Sequence, residues 1–364
     1  MAHRNCSAHG SGSFVVRMKM LSRAAVLVLL SLVLSGCVSS MLARRIVEAP
    51  NRAGVPPMTK DPKLVELLAK TFGQAWRLPV GPPAADLAIA VVEPGDYQLK
   101  HQLDVKRNPD GSGSMAYNIV WKPRPADAPA IKPKATIVLL HGIMVSKEYM
   151  IHWALYLAQQ GYRTVLVDLR GHGQSSGAWI TFGAIETEDL KQVLNALQRR
   201  GLAGERIGVL GVSYGAVMGL EWAALDPRVG SIVALEPYSN AQQAIMEFSR
   251  GFYAQQMKNI TDAQFASAEI GAAHLAGFKW ADADVLRSVE RLHAPVLIYH
   301  GKEDTWIPPT HSEKLMAVAP AGSRRVLLPD DNHLTLAVRL DPIASEVTAW
   351  FDAHLTTASL GGQR

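Results

Sequence analysis

The stretch of sequence that decides the fold is Gly211–Gly215, which reads Gly-Val-Ser-Tyr-Gly. It follows an apolar run, Arg206–Leu210, and precedes a helical pattern that continues to Ala224. A G-x-S-x-G pattern between a strand and a helix places its serine on a sharp turn, where a side chain at either glycine would collide with neighbouring backbone. Ser213 is therefore predicted to project its hydroxyl above a sheet, where it can act as a nucleophile.

Short apolar runs alternate with amphipathic segments on both sides of this turn. Continuous apolar strands alternating with helices predict an α/β fold with a mostly parallel sheet and helices on both faces. In such sheets the functional groups lie in loops at the carboxyl ends of the strands. The predicted strands are Ala135–Leu140, Arg163–Asp168, Arg206–Gly211, Ser231–Leu235, Pro295–His300 and Arg324–Leu328, with an earlier pair at Tyr97–Val105 and Ser114–Trp121; the clearest helices are Lys147–Gln160 and Pro342–Leu355.

A serine hydroxyl is a weak nucleophile, so it needs a base and a carboxylate that orients the base. His333 lies in the loop after the last predicted strand and is the candidate base. Asp304 lies just past the end of the strand Pro295–His300 and is the candidate acid. Its neighbour Glu303 remains open as an alternative. The chain order Ser, Asp, His is the one described for α/β-hydrolases.

Backbone N–H groups must also face the negative charge that develops on the substrate oxygen. One donor is predicted at Tyr214, directly after the nucleophile. The second is predicted at Ile143, in the loop after the strand Ala135–Leu140, where Gly142 permits a sharp exit. These two amides form the predicted oxyanion hole.

A further strand-end loop, Asp168–Ser175, contains a second possible acid. Asp168 could be a rival to the carboxylates near residue 304. The glycines of this loop are more typical of a rigid structural turn, in which Arg170 pairs with a carboxylate. We therefore interpret the loop as structural.

Together these motifs resemble the α/β-hydrolase superfamily, over roughly Tyr97 to Leu355. The similarity is greatest to bacterial serine hydrolases of the monoacylglycerol-lipase and serine-aminopeptidase type. The resemblance implies an α/β-hydrolase fold and acyl-enzyme catalysis with neither a metal nor an organic cofactor. One departure is the histidine context Asp331–His333, which lacks the small residues common in that group.

Members of this superfamily bury their substrate pocket under an insertion after the sixth strand. Residues 238–291 occupy that place and are predicted to form a small helical cap. Its large apolar side chains can either hold the cap on the body or form a lid over a lipid-like substrate, and different residues can do each. They are Phe248, Phe252, Tyr253, Met257, Phe265, Phe278 and Trp280.

The leading functional hypothesis is a serine hydrolase that cleaves a carboxylic ester or thioester of a small or lipid-like acyl group. The same residues can cleave peptides, so a serine peptidase of the aminopeptidase type is the alternative. A non-catalytic envelope lipoprotein on a hydrolase scaffold is a third possibility, which the presence of Ser213, Asp304 and His333 together disfavours.

The N-terminal segment is typical of a secretory signal peptide. Three basic residues at 17–23 precede an apolar run at 24–34. A signal peptide has about 7–15 apolar residues in this place, whereas a spanning helix needs about 20. The start codon can be Met1, Met18 or Met20, since residues 1–17 contain no recognisable pattern.

The run ends at 34–37 in Leu-Ser-Gly-Cys, which resembles the lipobox of bacterial lipoproteins. The resemblance implies cleavage after residue 36 and lipidation of Cys37, so that acyl chains hold the protein on a membrane. Val38 after the cysteine favours the periplasmic side of the outer membrane. Because Cys6 lies before the cut, the mature chain has no pair of cysteines for a disulfide or a cysteine zinc site.

Composition is consistent with this organisation. The chain has 364 residues, of which 48% are hydrophobic and 19% charged, so it can bury a large core and is not a disordered chain. Four basic residues and no acidic one lie in 1–36; the remaining 33 basic and 32 acidic residues leave a net charge of +1. A nucleic-acid partner is therefore not expected. The predicted organisation is a signal peptide at 1–36, a lipidated tether and an N-terminal arm packed on the main body at 37–95, and a catalytic domain at 96–360. The arm contains one short predicted helix, Pro62–Trp76.

Overall fold

The computed structural model describes residues 37–54, 62–107 and 113–356. The predicted signal peptide at 1–36 lies outside them. Within the described residues, no helix is both long and apolar enough to span a membrane.

An eight-stranded sheet forms the centre of the molecule, in the order β1-β2-β6-β5-β7-β8-β9-β10. All strands of this sheet except β1 are buried or half-buried along most of their length. All pairs from β6 to β10 are parallel, whereas β1 with β2 and β2 with β6 are antiparallel. The strands are β1 (Gln74–Val80), β2 (Ala85–Val92), β5 (Thr136–Leu140), β6 (Arg163–Val167), β7 (Ile207–Val212), β8 (Val229–Leu235), β9 (Val296–Gly301) and β10 (Arg324–Leu328).

Helices cover both faces of this sheet, as the alternation of strands and helices predicted. One face is covered by helices α4, α5, α9 and α10, and the other by α2, α3 and α12. Successive residues of β5 alternate between the two cores: Val138 and Leu140 belong to the first, Ile137 and Leu139 to the second. The helices are α1 (37–47), α2 (Pro62–Thr71), α3 (Ile151–Gln159), α4 (Glu186–Arg199), α5 (Tyr214–Leu225), α6 (Ala241–Phe252), α7 (Ala254–Met257), α8 (Asp262–Ala276), α9 (Val285–Glu290), α10 (Thr310–Val318), α11 (His333–Ala337) and α12 (Ala344–Phe351).

The predicted early strand pair is a separate antiparallel hairpin, β3 (Lys100–Arg107) with β4 (Gly113–Val120). Its His101 ring stacks on the buried His152 of α3 and lies 2.8 Å from the carbonyl oxygen of Val338. The hairpin therefore packs over the α3 face and adds no strand to the main sheet.

The N-terminal arm packs on the body as predicted, but part of it also belongs to the main sheet. Residues 74–92 form β1 and β2, so the main sheet begins well before residue 96. The prediction missed them because prolines interrupt the apolar pattern, whereas the pairing of β2 with β6 buries Ile89 and Val91. The predicted helix at 62–76 is confined to α2, because the chain from Gln74 onward pairs as a strand.

Residues just after Cys37 also pack on the body instead of forming a tether. Helix α1 buries Ala43, Ile46 and Val47 in the core on the α5 face. The Ser39 hydroxyl donates to the carbonyl of Gln264, at 3.2 Å, in the cap helix α8. The apolar spacing of these three side chains is too short a pattern to distinguish a packed helix from a loop in the sequence.

The cap lies between β8 and β9 and consists of α6 to α9. Counted along the chain, β8 is the sixth strand of the main sheet, so the insertion occurs where the resemblance placed it. Phe265 and Phe278 are buried in the core on the α5 face, and Trp280 packs against Phe182 and Phe278. These aromatic residues hold the cap on the body.

Candidate active site

Ser213 lies on the sharp turn between β7 and α5, as the sequence predicted. Its backbone has φ 51° and ψ −113°, a conformation in which a non-glycine residue is strained. The Ser213 amide donates to the carbonyl of Leu235 at the end of β8, at 2.7 Å. This hydrogen bond holds the strained turn against the neighbouring strand.

The two glycines of the motif have no room for a side chain. A Cβ at Gly211 would lie 2.3 Å from the carbonyl oxygen of Gly215, and a Cβ at Gly215 would lie 2.3 Å from that of Leu140. Real Cβ atoms do not come this close to backbone, so the turn requires both glycines.

His333 lies between Ser213 and Asp304. Its Nε2 atom is 3.1 Å from Ser213 Oγ, and its Nδ1 atom is 2.7 Å from Asp304 Oδ2. A carboxylate accepts hydrogen bonds, so Nδ1 carries the proton and Nε2 is free to accept from the serine hydroxyl. His333 is 120 positions from Ser213 and 29 positions from Asp304 in the sequence. The three side chains nevertheless meet at the carboxyl ends of three strands.

The loop that carries His333 is shaped by its neighbours. The side chain of Asn332 accepts from the amides of Leu334 and Thr335 and caps α11, whose first residue is His333. A Cβ at Gly301 would lie 2.3 Å from the carbonyl oxygen of Asp331, so the glycine lets this loop approach the end of β9. Asn332 therefore supplies the cap that fixes the start of the helix that carries His333.

Asp304 is 3% exposed, and its other oxygen is fixed by the backbone. Asp304 Oδ1 accepts from the amides of Trp306 and Ile307, at 3.0 and 2.8 Å. Burial alone would raise the pKa of Asp304, but hydrogen bonding to His300 and His333 outweighs it and holds the pKa well below its usual range. The carboxylate is thus ionised. Glu303, the alternative, is exposed to solvent.

Of the two predicted oxyanion residues, Tyr214 follows Ser213 directly, and the turn that leads to Ile143 lies beside Ser213. Tyr214 is the first residue of α5, so its amide has no acceptor within the helix. Gly142, before Ile143, lies next to Ser213: a Cβ there would be 3.8 Å from Ser213 Cβ. His141 fixes this turn by bonding to the carbonyl of Gly142 through Nδ1, while its Nε2 accepts from the amide of Leu169.

Asp168 has a structural environment and does not contact the imidazole of His333. Its carboxylate accepts from the backbone amide of Lys147, at 2.6 Å, and from its ammonium group, at 2.9 Å. In the same loop Arg170 forms a buried bidentate pair with Asp189, at 2.8 and 2.7 Å. The interpretation of this loop as a rigid turn is confirmed.

Glu236 is a residue at the site that the sequence analysis missed. It directly follows β8, is fully buried, and has a positive φ of 56°. Its Oε2 atom lies 3.6 Å from His333 Nδ1. The only signal in the sequence was its position directly after a predicted strand, Ser231–Leu235, two residues before the predicted cap.

Glu236, Asp304 and His333 place ligand atoms within 4.8 Å of one another, and they are the one such group of three among the described residues. A metal ion could in principle be held there. The 2.7 Å contact between Nδ1 and Asp304 needs a proton where a cation would bind, so the arrangement fits a hydrogen-bonded relay better than a metal site.

An aromatic cluster connects the cap to the site. The Trp306 ring lies 5.7 Å from the His333 ring and makes edge contacts with Phe248 and Phe252 of α6. The Tyr253 hydroxyl lies 3.6 Å from the sulfur of Met144, beside the predicted oxyanion turn. One group of cap aromatics therefore packs on the body, and a second group borders the site.

Comparison with known proteins agrees with this architecture. A family model described as alpha/beta hydrolase fold matches residues 135–270. The chain is 25% identical over 182 residues to the uncharacterized protein YqkD of Bacillus subtilis, a match that covers 50% of this chain and 58% of that protein. It is also 25% identical over 217 residues to the uncharacterized protein YfhR of Escherichia coli, covering 59% of this chain and 68% of that protein.

Among solved structures, the fold is similar to that of the Pyrococcus furiosus esterase Pf2001. The TM-score is 0.55 at 18% identity, and the alignment covers 82% of this chain and 98% of the esterase. The sheet, the cap and this likeness define the class: the chain has the α/β-hydrolase fold. The segment 135–270, which includes the serine turn and most of the cap, matches the hydrolase superfamily.

Proposed function

We propose that this protein is a serine hydrolase that cleaves a carboxylic ester or thioester through an acyl-enzyme. The observation that carries the proposal is the continuous contact from Ser213 through His333 to Asp304, with distances of 3.1 and 2.7 Å. The esterase with a similar fold is consistent with this reaction class but leaves the substrate open.

In the first half of the reaction, Ser213 Oγ attacks the acyl carbonyl carbon while Nε2 of His333 takes the hydroxyl proton. Asp304 stabilises the imidazolium that forms. The amides of Tyr214 and Ile143 donate to the oxyanion of the tetrahedral intermediate. When the intermediate collapses, the bond to the alcohol or thiol breaks, and the leaving group receives the proton from His333.

In the second half, water attacks the acyl-enzyme. His333 takes a proton from the water and returns it to Ser213 Oγ as the carboxylic acid leaves. The enzyme ends in its initial protonation state, so the cycle needs no external acid, base or cofactor.

The substrate is proposed to carry an apolar acyl group. Trp306 lies against the imidazole, and Phe248 and Phe252 continue the apolar surface away from it. Each CH₂ group of an acyl chain that is buried against such a surface contributes about 0.8 kcal/mol of favourable transfer free energy. Serine peptidase activity remains the competing outcome, because the same three residues serve both reactions.

A fluorophosphonate probe tests the proposal. Wild-type protein is expected to react at Ser213, and the variant Ser213→Ala is expected to show no labelling. Ser239, which is buried beside His311, provides the matched control, and Ser239→Ala is expected to keep the label. A folded wild type that does not react overturns the proposal.

A panel of nitrophenyl esters, thioesters, aminoacyl amides and prolyl amides then separates the two reactions. Turnover of esters or thioesters with no cleavage of amides supports the proposal. Preferred cleavage of the amides identifies a peptidase instead.

We also propose that Cys37 carries a lipid that holds the protein at the bacterial cell envelope, on the periplasmic side of the outer membrane. Cys37 is exposed and begins the packed helix α1, so acyl chains on its sulfur would leave the body undisturbed. Labelled palmitate should be incorporated into wild-type protein in bacterial cells and not into Cys37→Ala. Incorporation by both proteins, or by neither, contradicts the anchor.

A further inference from the structure

Glu236 occupies a costly position in the fold. It combines a left-handed backbone, with φ 56°, and complete burial of an ionisable side chain. A non-glycine residue in this backbone conformation is strained, and a buried polar group without a partner adds a further penalty. Both carboxyl oxygens of Glu236 lack a hydrogen-bond partner within the described part of the chain. Packing alone does not account for a glutamate here.

The position of the carboxyl group suggests what it does. Its Oε2 atom is 3.6 Å from His333 Nδ1, the same nitrogen that contacts Asp304 at 2.7 Å. The backbone of Glu236 is anchored between two strands, because its amide donates to the carbonyl of Tyr299 in β9, at 2.8 Å. A small rotation of the imidazole or of the carboxyl group would convert the 3.6 Å contact into a hydrogen bond.

We propose that Glu236 is a positioning residue: a second carboxyl partner for Nδ1 of His333, which keeps the imidazole oriented when its hydrogen bond to Asp304 is broken or lost. The inference rests on the proposed serine hydrolase function. It assigns no contact between Glu236 and the substrate; Glu236 acts through His333.

The charges around Glu236 explain why Asp304 is the first partner. Burial raises the pKa of Glu236, and the negative charges of Asp304 and Asp331 raise it further, well above its usual range. His333 and Tyr149 also lie near it, and burial raises the pKa of that tyrosine well above its usual value, so it stays neutral. Glu236 is therefore a neutral acid while Asp304 is ionised, and it becomes easier to ionise when the charge at position 304 is removed.

A double-mutant cycle tests this, with the variants Asp304→Asn, Glu236→Gln and the pair together. In a triad with no second acid, loss of the aspartate charge lowers turnover by about 10⁴, because the imidazole adopts the wrong tautomer. We expect Asp304→Asn to lower kcat/KM by only about 10², because ionised Glu236 keeps the proton on Nδ1. The kcat/KM of the double variant should be about 10⁴ lower than that of the wild type, whereas Glu236→Gln alone should lower kcat/KM about threefold.

The pH profile separates a positioning role from a structural one. The activity of Asp304→Asn should rise with pH as Glu236 ionises, and this alkaline limb should be absent from the double variant. The inference is overturned if Asp304→Asn and the double variant have the same kcat/KM across the pH range. It is also overturned if Glu236→Gln lowers kcat/KM as much as Asp304→Asn does. Circular dichroism checks each variant for folding, and Asp304→Ala replaces Asp304→Asn if the latter does not fold.

Failure of this inference is distinguishable from failure of the proposed function. If wild-type protein neither hydrolyses esters nor reacts with the fluorophosphonate, both are overturned. If wild-type protein reacts but the cycle is additive, only the role of Glu236 is overturned.

Discussion

The ammonium group of Lys147 lies 2.9 Å from Asp168, and both side chains are almost fully buried. The backbone amide of Lys147 donates to the same carboxylate, at 2.6 Å. Burial opposes the charged form of the lysine, but Asp168 and Glu148 outweigh this and raise the pKa of Lys147 above its usual value. This pair ties the end of β6 to the segment that begins at His141 and contains Ile143.

Asp168→Asn is expected to lower the free energy of unfolding by about 3–5 kcal/mol, because it leaves a buried cation with only part of its compensation. Urea unfolding measures this. The control is Glu188→Gln, which breaks the exposed pair with Lys191 and should cost less than about 1 kcal/mol. Equal stability of Asp168→Asn and wild type would show that the buried pair contributes nothing.

Gly215→Ala should lower the free energy of unfolding by about 3 kcal/mol and abolish fluorophosphonate labelling, because the new Cβ displaces the turn that carries Ser213. Gly204→Ala is the matched control, since a Cβ there meets nothing within 4 Å. That variant should stay within about 1 kcal/mol of wild type and keep its label. A fully labelled Gly215→Ala protein would contradict the account of the turn.

Glu236→Gln should stabilise the protein increasingly as pH rises above the ordinary glutamate value of 4.5. The native pKa of Glu236 is raised, so its contribution to stability is fully present below the unfolded pKa and is lost as pH rises toward the native pKa. Glutamine has no proton to lose and removes that dependence. The measurement is the free energy of unfolding of both proteins between pH 5 and pH 9, about the range in which such a shifted carboxyl titrates. A difference that does not change with pH would mean that the Glu236 pKa is not raised.

Phe248→Ala should lower kcat/KM for long-chain nitrophenyl esters about tenfold more than for the acetate, because it removes apolar surface beside Trp306. Phe278→Leu is the control, because Phe278 packs in the core and holds the cap on the body. It should reduce thermal stability without changing the ratio of the two rates. An unchanged ratio in Phe248→Ala would place the acyl group elsewhere.

The strand-end loops were predictable because their chemistry is local. Ser213 lies between two glycines in a five-residue motif that can be recognised without the fold, and His333 and Asp304 each follow an apolar run that is long enough to recognise. The six predicted strands from Ala135 onward are all present, with ends displaced by no more than two residues. Buried parallel strands have continuous apolar patterns, so they are the easiest elements to identify.

Strands β1 and β2 and the packed helix α1 escaped prediction for a different reason. Prolines at 79, 82 and 83 and the high alanine content hide their pattern, and their burial comes from partners far along the chain. The side chain of Glu236 is a similar case, because nothing near it in sequence indicates that it faces His333.

The sequence by itself determined the class of fold, the serine turn, and Ser213 and His333 as two of the residues in contact, because each depends on a local motif or on hydrophobic periodicity. The tertiary structure alone decided that Asp304 and not Glu303 faces the imidazole, that the cap aromatics divide into two groups, and that a second carboxyl group lies beside Nδ1. These features depend on distances between segments that are remote in the chain, and such distances are set by the packing of the whole sheet.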